Sequence, residues 1–116
     1  MADKKDAYES VCTAVGALNE KKGLDIKVID ISDISIMADY FILVSGSNTR
    51  QIQALCDNVR EKLAKEGTFP KQVEGYDTAG WILLDYNDVI IHIFDEESRS
   101  FYGLERIWSD GKDVAV

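Results

Sequence analysis

Val44-Ser-Gly-Ser-Asn-Thr-Arg-Gln-Ile-Gln-Ala-Leu55 carries an apolar run straight into a helical pattern. Strand, glycine turn and helix, in that order, is how many phosphate-binding loops are built. Such a loop aims backbone N–H groups and a helix N-terminus at an anion. A productive P-loop adds a lysine and a magnesium-binding hydroxyl, in the spacing G-x-x-x-x-G-K-[ST]. This stretch has neither that spacing nor G-x-G-x-x-G. Local needs account for it instead. Ser47 or Asn48 can cap the helix, and Asn48 and Gln51 stand at capping-box spacing. Gly46 lets the chain leave the strand sharply.

A Gly-Ser turn before a helix also resembles the nucleotidyltransferase fold. Enzymes of that fold hold metal ions with paired acids on a following strand, because two-metal phosphoryl transfer needs converging carboxylates. The nearest downstream acid, Asp57, falls on the helix. Asp85 and Asp88 flank a predicted hairpin turn, at a spacing wrong for one strand face. The missing acid pair lowers the enzymatic reading of the Gly46-Ser47 turn.

Outward from this stretch, both periodicities are legible. Ala7, Val11, Ala14, Val15 and Leu18 recur at helical spacing, predicting a helix over 4–22 that ends at Gly23. Leu24 to Ile31 alternates as a half-buried strand, and the polar segment 32–39 connects it to the next. Tyr40-Phe-Ile-Leu-Val44 has no alternation, which predicts a central strand covered on both faces. A helix over 49–65 carries Ile52, Leu55, Cys56, Val59 and Leu63 on one stripe; Gly67 ends it and Pro70 prevents its resumption. A short edge strand is expected over 71–74, strong strands over 81–86 and 89–94, and a helix over 98–108 with Phe101, Leu104 and Trp108 on one side. The tail after Gly111 is expected to be loose. The order α-β-β-α-β-β-β-α defines an α/β chain, a mixed α+β sheet flanked by helices. It has no repeat, linker or low-complexity segment, so residues 1–116 are expected to form a single domain with an ordered core over about 4–108 and a radius of gyration of about 13 Å.

Composition narrows the function classes. The chain has 116 residues, 46 % of them hydrophobic, enough to bury a core without disulfide or metal. No apolar run reaches the roughly 20 residues that span a bilayer, and Met1-Ala-Asp-Lys-Lys-Asp lacks the features of a signal or transit peptide. A cytoplasmic protein with no membrane partner is the expectation. The net charge of -8 argues against DNA, and against much direct RNA contact, because affinity for phosphate backbones comes largely from Lys and Arg. It suits a basic protein partner, since opposite fields speed encounter, although acidity alone also serves solubility. Cys12 and Cys56 both fall at apolar helical positions, which predicts buried free thiols rather than a disulfide or metal site. No cofactor is expected.

The strongest candidate surface is the hairpin Trp81-Ile-Leu-Leu-Asp-Tyr86, Asn87-Asp88, Val89-Ile-Ile-His-Ile-Phe94. Both turn residues tolerate positive φ, so a two-residue turn is predicted, and it sets the register. Tyr86, Leu84 and Ile82 then face Val89, Ile91 and Ile93 on an aliphatic core face. The other face pairs Trp81 with Phe94, Leu83 with His92 and Asp85 with Ile90. That face is either a second buried layer or a partner-binding surface. His92 is the chain's one histidine, with no serine, cysteine or second acid placed beside it, so its catalytic case is weak. Arg99, Tyr102, Glu105 and Arg106 occupy the polar side of the last helix, where Arg99–Glu96 or Arg106–Tyr102 contacts would be ordinary surface features.

At this hairpin the chain resembles a known family. Asp39-Tyr-Phe-Ile-Leu-Val-Ser-Gly-Ser, Glu74-Gly75, the hairpin itself and Arg99-Ser-Phe-Tyr-Gly-Leu-Glu-Arg-Ile-Trp108 stand in the order and spacing of the ribosomal silencing factors, the Iojap family. The resemblance runs from the first helix to Trp108, with one departure, Asn87 in place of the usual glycine. It implies a nucleotidyltransferase-like fold without the catalytic acids, and a repressor rather than an enzyme. It implies binding to the large ribosomal subunit through ribosomal protein uL-fourteen, sterically blocking the small subunit and repressing translation under nutrient limitation. Some members form homodimers. Trp81, Leu83, His92 and Phe94 are the candidate contacts, with Asp85, Asp88, Tyr102 and Glu105 supplying polar ones. The competing reading is a nucleotidyltransferase-like enzyme using the Gly46-Ser47 turn.

Overall fold

A computed structural model of the chain describes residues 4–103, 106 and 110–116. The elements are α1 (Lys4–Glu20), β1 (Leu24–Asp30), β2 (Tyr40–Gly46), α2 (Thr49–Lys65), β3 (Gln72–Glu74), β4 (Trp81–Asp85), β5 (Val89–Asp95), α3 (Glu96–Tyr102) and β6 (Lys112–Asp113). They build one six-stranded mixed sheet in the order β3-β4-β5-β2-β1-β6. Only the β2–β5 pair is parallel. The radius of gyration is 12.9 Å.

Strand β2 is buried along its whole length. Its alternate side chains enter two different cores. Tyr40, Ile42 and Val44 join the larger one, with the inner stripes of α1 and α2 and with Ile82, Leu84, Ile91 and Ile93. Phe41 and Leu43 join a smaller cluster of Ile29, Ile31, Ala38 and Phe94, with Trp81 and Ile90 packed against it. A strand that meets apolar layers on both faces has no polar face to alternate, which is why its sequence is continuously hydrophobic. The two long helices are tied by buried Asn58, whose side-chain amide donates to the Ala17 carbonyl at 2.8 Å.

The Ser45-Gly46-Ser47 turn is filled by the chain's own side chains. Asn48 caps α2, its Oδ1 accepting from the Gln51 N–H at 2.8 Å. The reciprocal bond differs from a capping box by one residue. Gln51 Oε1 accepts from the Ser47 N–H at 2.6 Å and from its hydroxyl at 2.8 Å, while Gln51 Nε2 donates to the Lys22 carbonyl at 2.9 Å. One glutamine thus joins the start of α2 to the end of α1. Gly46 is required by packing, since a Cβ there would lie 2.7 Å from Ile52 Cγ1.

Other expectations are corrected. Residues after Gly111 are not loose: Lys112 and Asp113 pair with Asp30 and Ile29, and the Val114 N–H donates to the Val28 carbonyl at 3.0 Å. Two residues of backbone pairing carry no apolar signature, so composition hides them. Cys12 is exposed, one position off the buried stripe, whereas Cys56 is buried and its thiol is pushed up to about 11 by burial. The last helix begins at Glu96 rather than Ser98, because Asp95 caps it by accepting from the Ser98 N–H at 2.6 Å. It breaks at Gly103, which adopts φ 57°. Leu104, Glu105 and 107–109 lie outside the described residues, and with them the helical reading through Trp108. The hairpin register and its two-residue loop are as predicted, the Tyr86 N–H donating to the Val89 carbonyl at 2.9 Å. Only Asn87 takes positive φ, at 74°, and the Asp88 N–H bonds the Tyr86 carbonyl at 2.9 Å, a three-residue γ-turn.

Asn48→Ala is expected to cost about 1 kcal/mol by leaving an α2 N–H without its partner. Urea unfolding measures it, and a midpoint equal to that of the unsubstituted chain would contradict the capping role.

Candidate functional site

The sheet face opposite α1 and α2 carries the candidate residues. Trp81↔Phe94, Leu83↔His92 and Asp85↔Ile90 are cross-strand partners there, and β2 continues the rows through the pairs Leu43↔His92 and Phe41↔Ile90. The face is neither wholly open nor wholly sealed. Phe94 is 1 % exposed and His92 4 % exposed, whereas Trp81, Leu83, Asp85 and Ile90 are half-buried. Phe94 and His92 therefore form a floor, with a strip of Trp81, Leu83 and Ile90 left reachable. Of the four candidate contacts, Trp81 and Leu83 are partly exposed and Phe94 and His92 are buried, so the face combines the two arrangements that the sequence left open. Packing within the rows, which periodicity cannot show, draws both rings inward.

That floor is an aromatic cluster around one imidazole. The His92 ring lies 5.0 Å from Phe41 in an edge-on arrangement and 5.9 Å from Phe94 in a stacked one, and Trp81 covers Phe94 at 5.2 Å. Trp81 Nε1 donates to His92 Nδ1 at 3.0 Å. An indole nitrogen can only donate, so Nδ1 must be the acceptor, and the neutral ring carries its proton on Nε2. Nε2 is buried without a hydrogen-bond partner. Burial pushes the His92 pKa down to about 4, so the ring is uncharged near neutrality. It orients Trp81 and fills the floor. Among the described residues, the rings packed against it are Phe41, Trp81 and Phe94, none of them a nucleophile.

The polar candidates are dispersed. Asp85 is committed to the turn, its Oδ1 accepting from the Asn87 N–H at 2.8 Å. Asp88 lines a different surface, a groove beside α1. Burial, and then the nearby Asp39 carboxylate, hold its carboxyl above the usual range. Tyr102 ends α3, and Glu105 lies outside the described residues. Arg99 reaches back across the sheet end and donates to the buried Ser45 hydroxyl at 3.0 Å.

The connection from β1 to β2 holds residues that a polar reading passes over. Ile34, Ile36 and Met37 are exposed there. The Asp39 and Tyr40 N–H groups both donate to the Asp88 carbonyl, at 2.8 and 3.1 Å, so the loop's end is tied to the hairpin turn. The available signal was apolar residues inside an otherwise polar connector.

The class these features define is a mixed-sheet α+β domain with two helices on one face and a half-open apolar strip on the other. The chain belongs to the family described as ribosomal silencing factor during starvation, RsfS, whose profile it matches over residues 4–116. It is 37 % identical over 97 residues to ribosomal silencing factor RsfS of Bacillus subtilis, covering 84 % of this chain and 82 % of that one. The RsfS of Halalkalibacterium halodurans is 34 % identical over 103 residues, covering 89 % and 88 %. A crystal structure of a protein from Chromobacterium violaceum superposes with a TM-score of 0.86 at 30 % identity, covering 93 % of this chain and 89 % of that one.

Protonating His92 is compatible with the unfolded chain and not with the aromatic floor. Its folded value lies below its unfolded 6.5, so its contribution is complete above pH 6.5 and is lost as pH falls toward 4. The shift from 6.5 to about 4 corresponds to about 3 kcal/mol. His92→Phe should flatten the fall in stability between pH 6.5 and 4 by up to one proton's worth, about 1.4 kcal/mol per pH unit. Equal slopes for the two proteins in denaturant titrations would refute the burial of a neutral ring.

Proposed function

We propose that this chain represses translation by binding ribosomal protein uL-fourteen on the large ribosomal subunit and standing where the small subunit must dock. Blocking association needs volume at an interface and no chemistry. The observation that carries the reading is the strip of Trp81, Leu83 and Ile90, half-exposed over a floor of Phe94, His92 and Phe41. A rigid aromatic anchor loses little conformational freedom on binding and gains its full desolvation, which makes Trp81 the first contact to test. The charge of -8 supports a basic partner: long-range attraction speeds encounter, and apolar contact sets residence time. Leu83 completes the anchor, and Asp85 and Asp88 stand at its turn end. Exposed Ile36 and Met37 extend the same end of the sheet. His92 and Phe94 act from beneath by holding Trp81.

The chain acts without catalysis and in the cytoplasm on this reading. The Gly46-Ser47 turn supports it, because both donors of Ser47, its N–H and its hydroxyl, are engaged by Gln51. Among the described residues, no group of three or more His, Cys, Asp and Glu could hold a metal ion, and no helix is long and apolar enough to cross a membrane. Pairing of two copies is carried over from the family, and sedimentation of the free chain reads it.

Trp81→Ala combined with Leu83→Ser, in a protein shown to stay folded, should weaken co-sedimentation with large subunits about ten-fold or more. Unchanged binding would reject the strip as the contact. Magnesium with nucleoside triphosphates should leave the melting temperature of the unsubstituted protein unmoved. A concentration-dependent rise would favour the nucleotidyltransferase-like alternative.

A further inference from the structure

The connection between β1 and β2 is pinned at both ends and apolar at its tip. Buried Ile31 and Ala38 root it in the cluster of Phe41 and Phe94, which puts it on the strip's side of the sheet. The Ile31 N–H donates to the Asp39 carbonyl at 2.9 Å, and the Ile34 and Ser35 N–H groups donate to the Ile31 carbonyl at 3.0 and 2.9 Å. The Met37 N–H donates to the Ser35 hydroxyl at 3.1 Å. Asp30 closes the start, accepting from the Ser32 N–H at 2.9 Å and from its hydroxyl at 2.6 Å. Held on this frame, Ile36 is fully exposed, Met37 75 % exposed and Ile34 45 % exposed. Single apolar side chains on a surface are ordinary. Three within four positions of a hydrogen-bonded loop form a patch, and patches mark contacts.

The charge around the tip selects what it meets. Asp30, Asp33, Asp39, Asp85 and Asp88 all belong to the end of the sheet where β1 and β4 finish and β2 and β5 begin. Among the described residues, Lys71 and Lys112 are the basic ones on the strand ends and loops there, and Lys112 is already paired with Asp33 at 3.3 Å. Resting on the reading of the chain as a large-subunit binder, we propose that this loop is a second grip on that subunit: Ile36 and Met37 enter an apolar recess on a basic protein surface, whose Lys or Arg side chains meet the acidic sheet end. Opposite fields favour that encounter. RNA is disfavoured at this tip, because its phosphates would meet the same carboxylates. The two contacts divide the work. Trp81 is a stiff anchor on the sheet, whereas unbranched Met37 adapts to an irregular recess. Two contacts on one face fix the angle at which the bound chain stands, and steric blocking depends on that angle.

Purified large ribosomal subunits are the probe for the full chain. Ile36→Ser with Met37→Ser, both at exposed positions, should leave the melting temperature unchanged and weaken co-sedimentation about five-fold or more. Asp33→Lys should slow association about three-fold or more at low salt, a difference that high salt removes. Ile36→p-benzoylphenylalanine, irradiated in the complex, should cross-link to a ribosomal protein. If the unsubstituted chain does not co-sediment at all, the proposed function fails and the second grip fails with it. If it does co-sediment, three results each remove the loop as a grip while leaving the proposed function standing: undiminished binding of the double serine variant, undiminished low-salt association of Asp33→Lys, or a cross-link that forms to ribosomal RNA or not at all.

Discussion

The structure depends on the two-sided burial of β2. Residues Tyr40–Gly46 meet α1 and α2 through one set of side chains and the Ile29–Phe41–Phe94 cluster through the other. Every neighbour is placed by that arrangement. Strand β5 must lie alongside in parallel, so the chain has to cross over through α2 and return by β3 and β4 before it can pair. The hairpin then emerges with one face already committed to the helical core. Its other face is free to differ, and the candidate strip lies there.

On that second face a polar ring is held among apolar ones. His92 stays neutral because burial disfavours its charge, and it accepts from Trp81 because an indole can do nothing else. The result is a tryptophan steered from below rather than left to sample rotamers. On the proposed reading that Trp81 is a contact, a stiff side chain is more useful than a larger soft one, since ordering side chains on binding subtracts from affinity. The orphaned Nε2 is the cost of that steering.

The Ser45-Gly46-Ser47 turn shows how one local pattern can serve different ends. Its strand-turn-helix form suits a phosphate, yet Gln51 reaches into the turn and binds both Ser47 and the end of α1. The two donors of Ser47 are spent on fixing the glutamine whose amide reaches the end of α1. The same economy appears at Asp88, whose carbonyl takes two N–H groups from β2 while its side chain faces the groove beside α1.

The sequence by itself determined the elements with strong periodicity: both long helices, the buried central strand and the hairpin register, down to Trp81 opposite Phe94. Those features follow from the spacing of apolar residues, which is local information. It also carried the family, through motifs distributed along nearly the whole chain. Tertiary structure alone decided which members of the second face stay reachable, because the burial of Phe94 and His92 arises from rings contributed by β2, β4 and β5 together. It alone decided that β6 pairs with β1, since two residues of ladder have no hydrophobic pattern to read. The start of α3 at Glu96, behind its Asp95 cap, and the outward turn of Cys12 follow from capping and from the angular position of a residue beside a stripe. Periodicity specifies a stripe to within a residue, and the packing of neighbours assigns its edges.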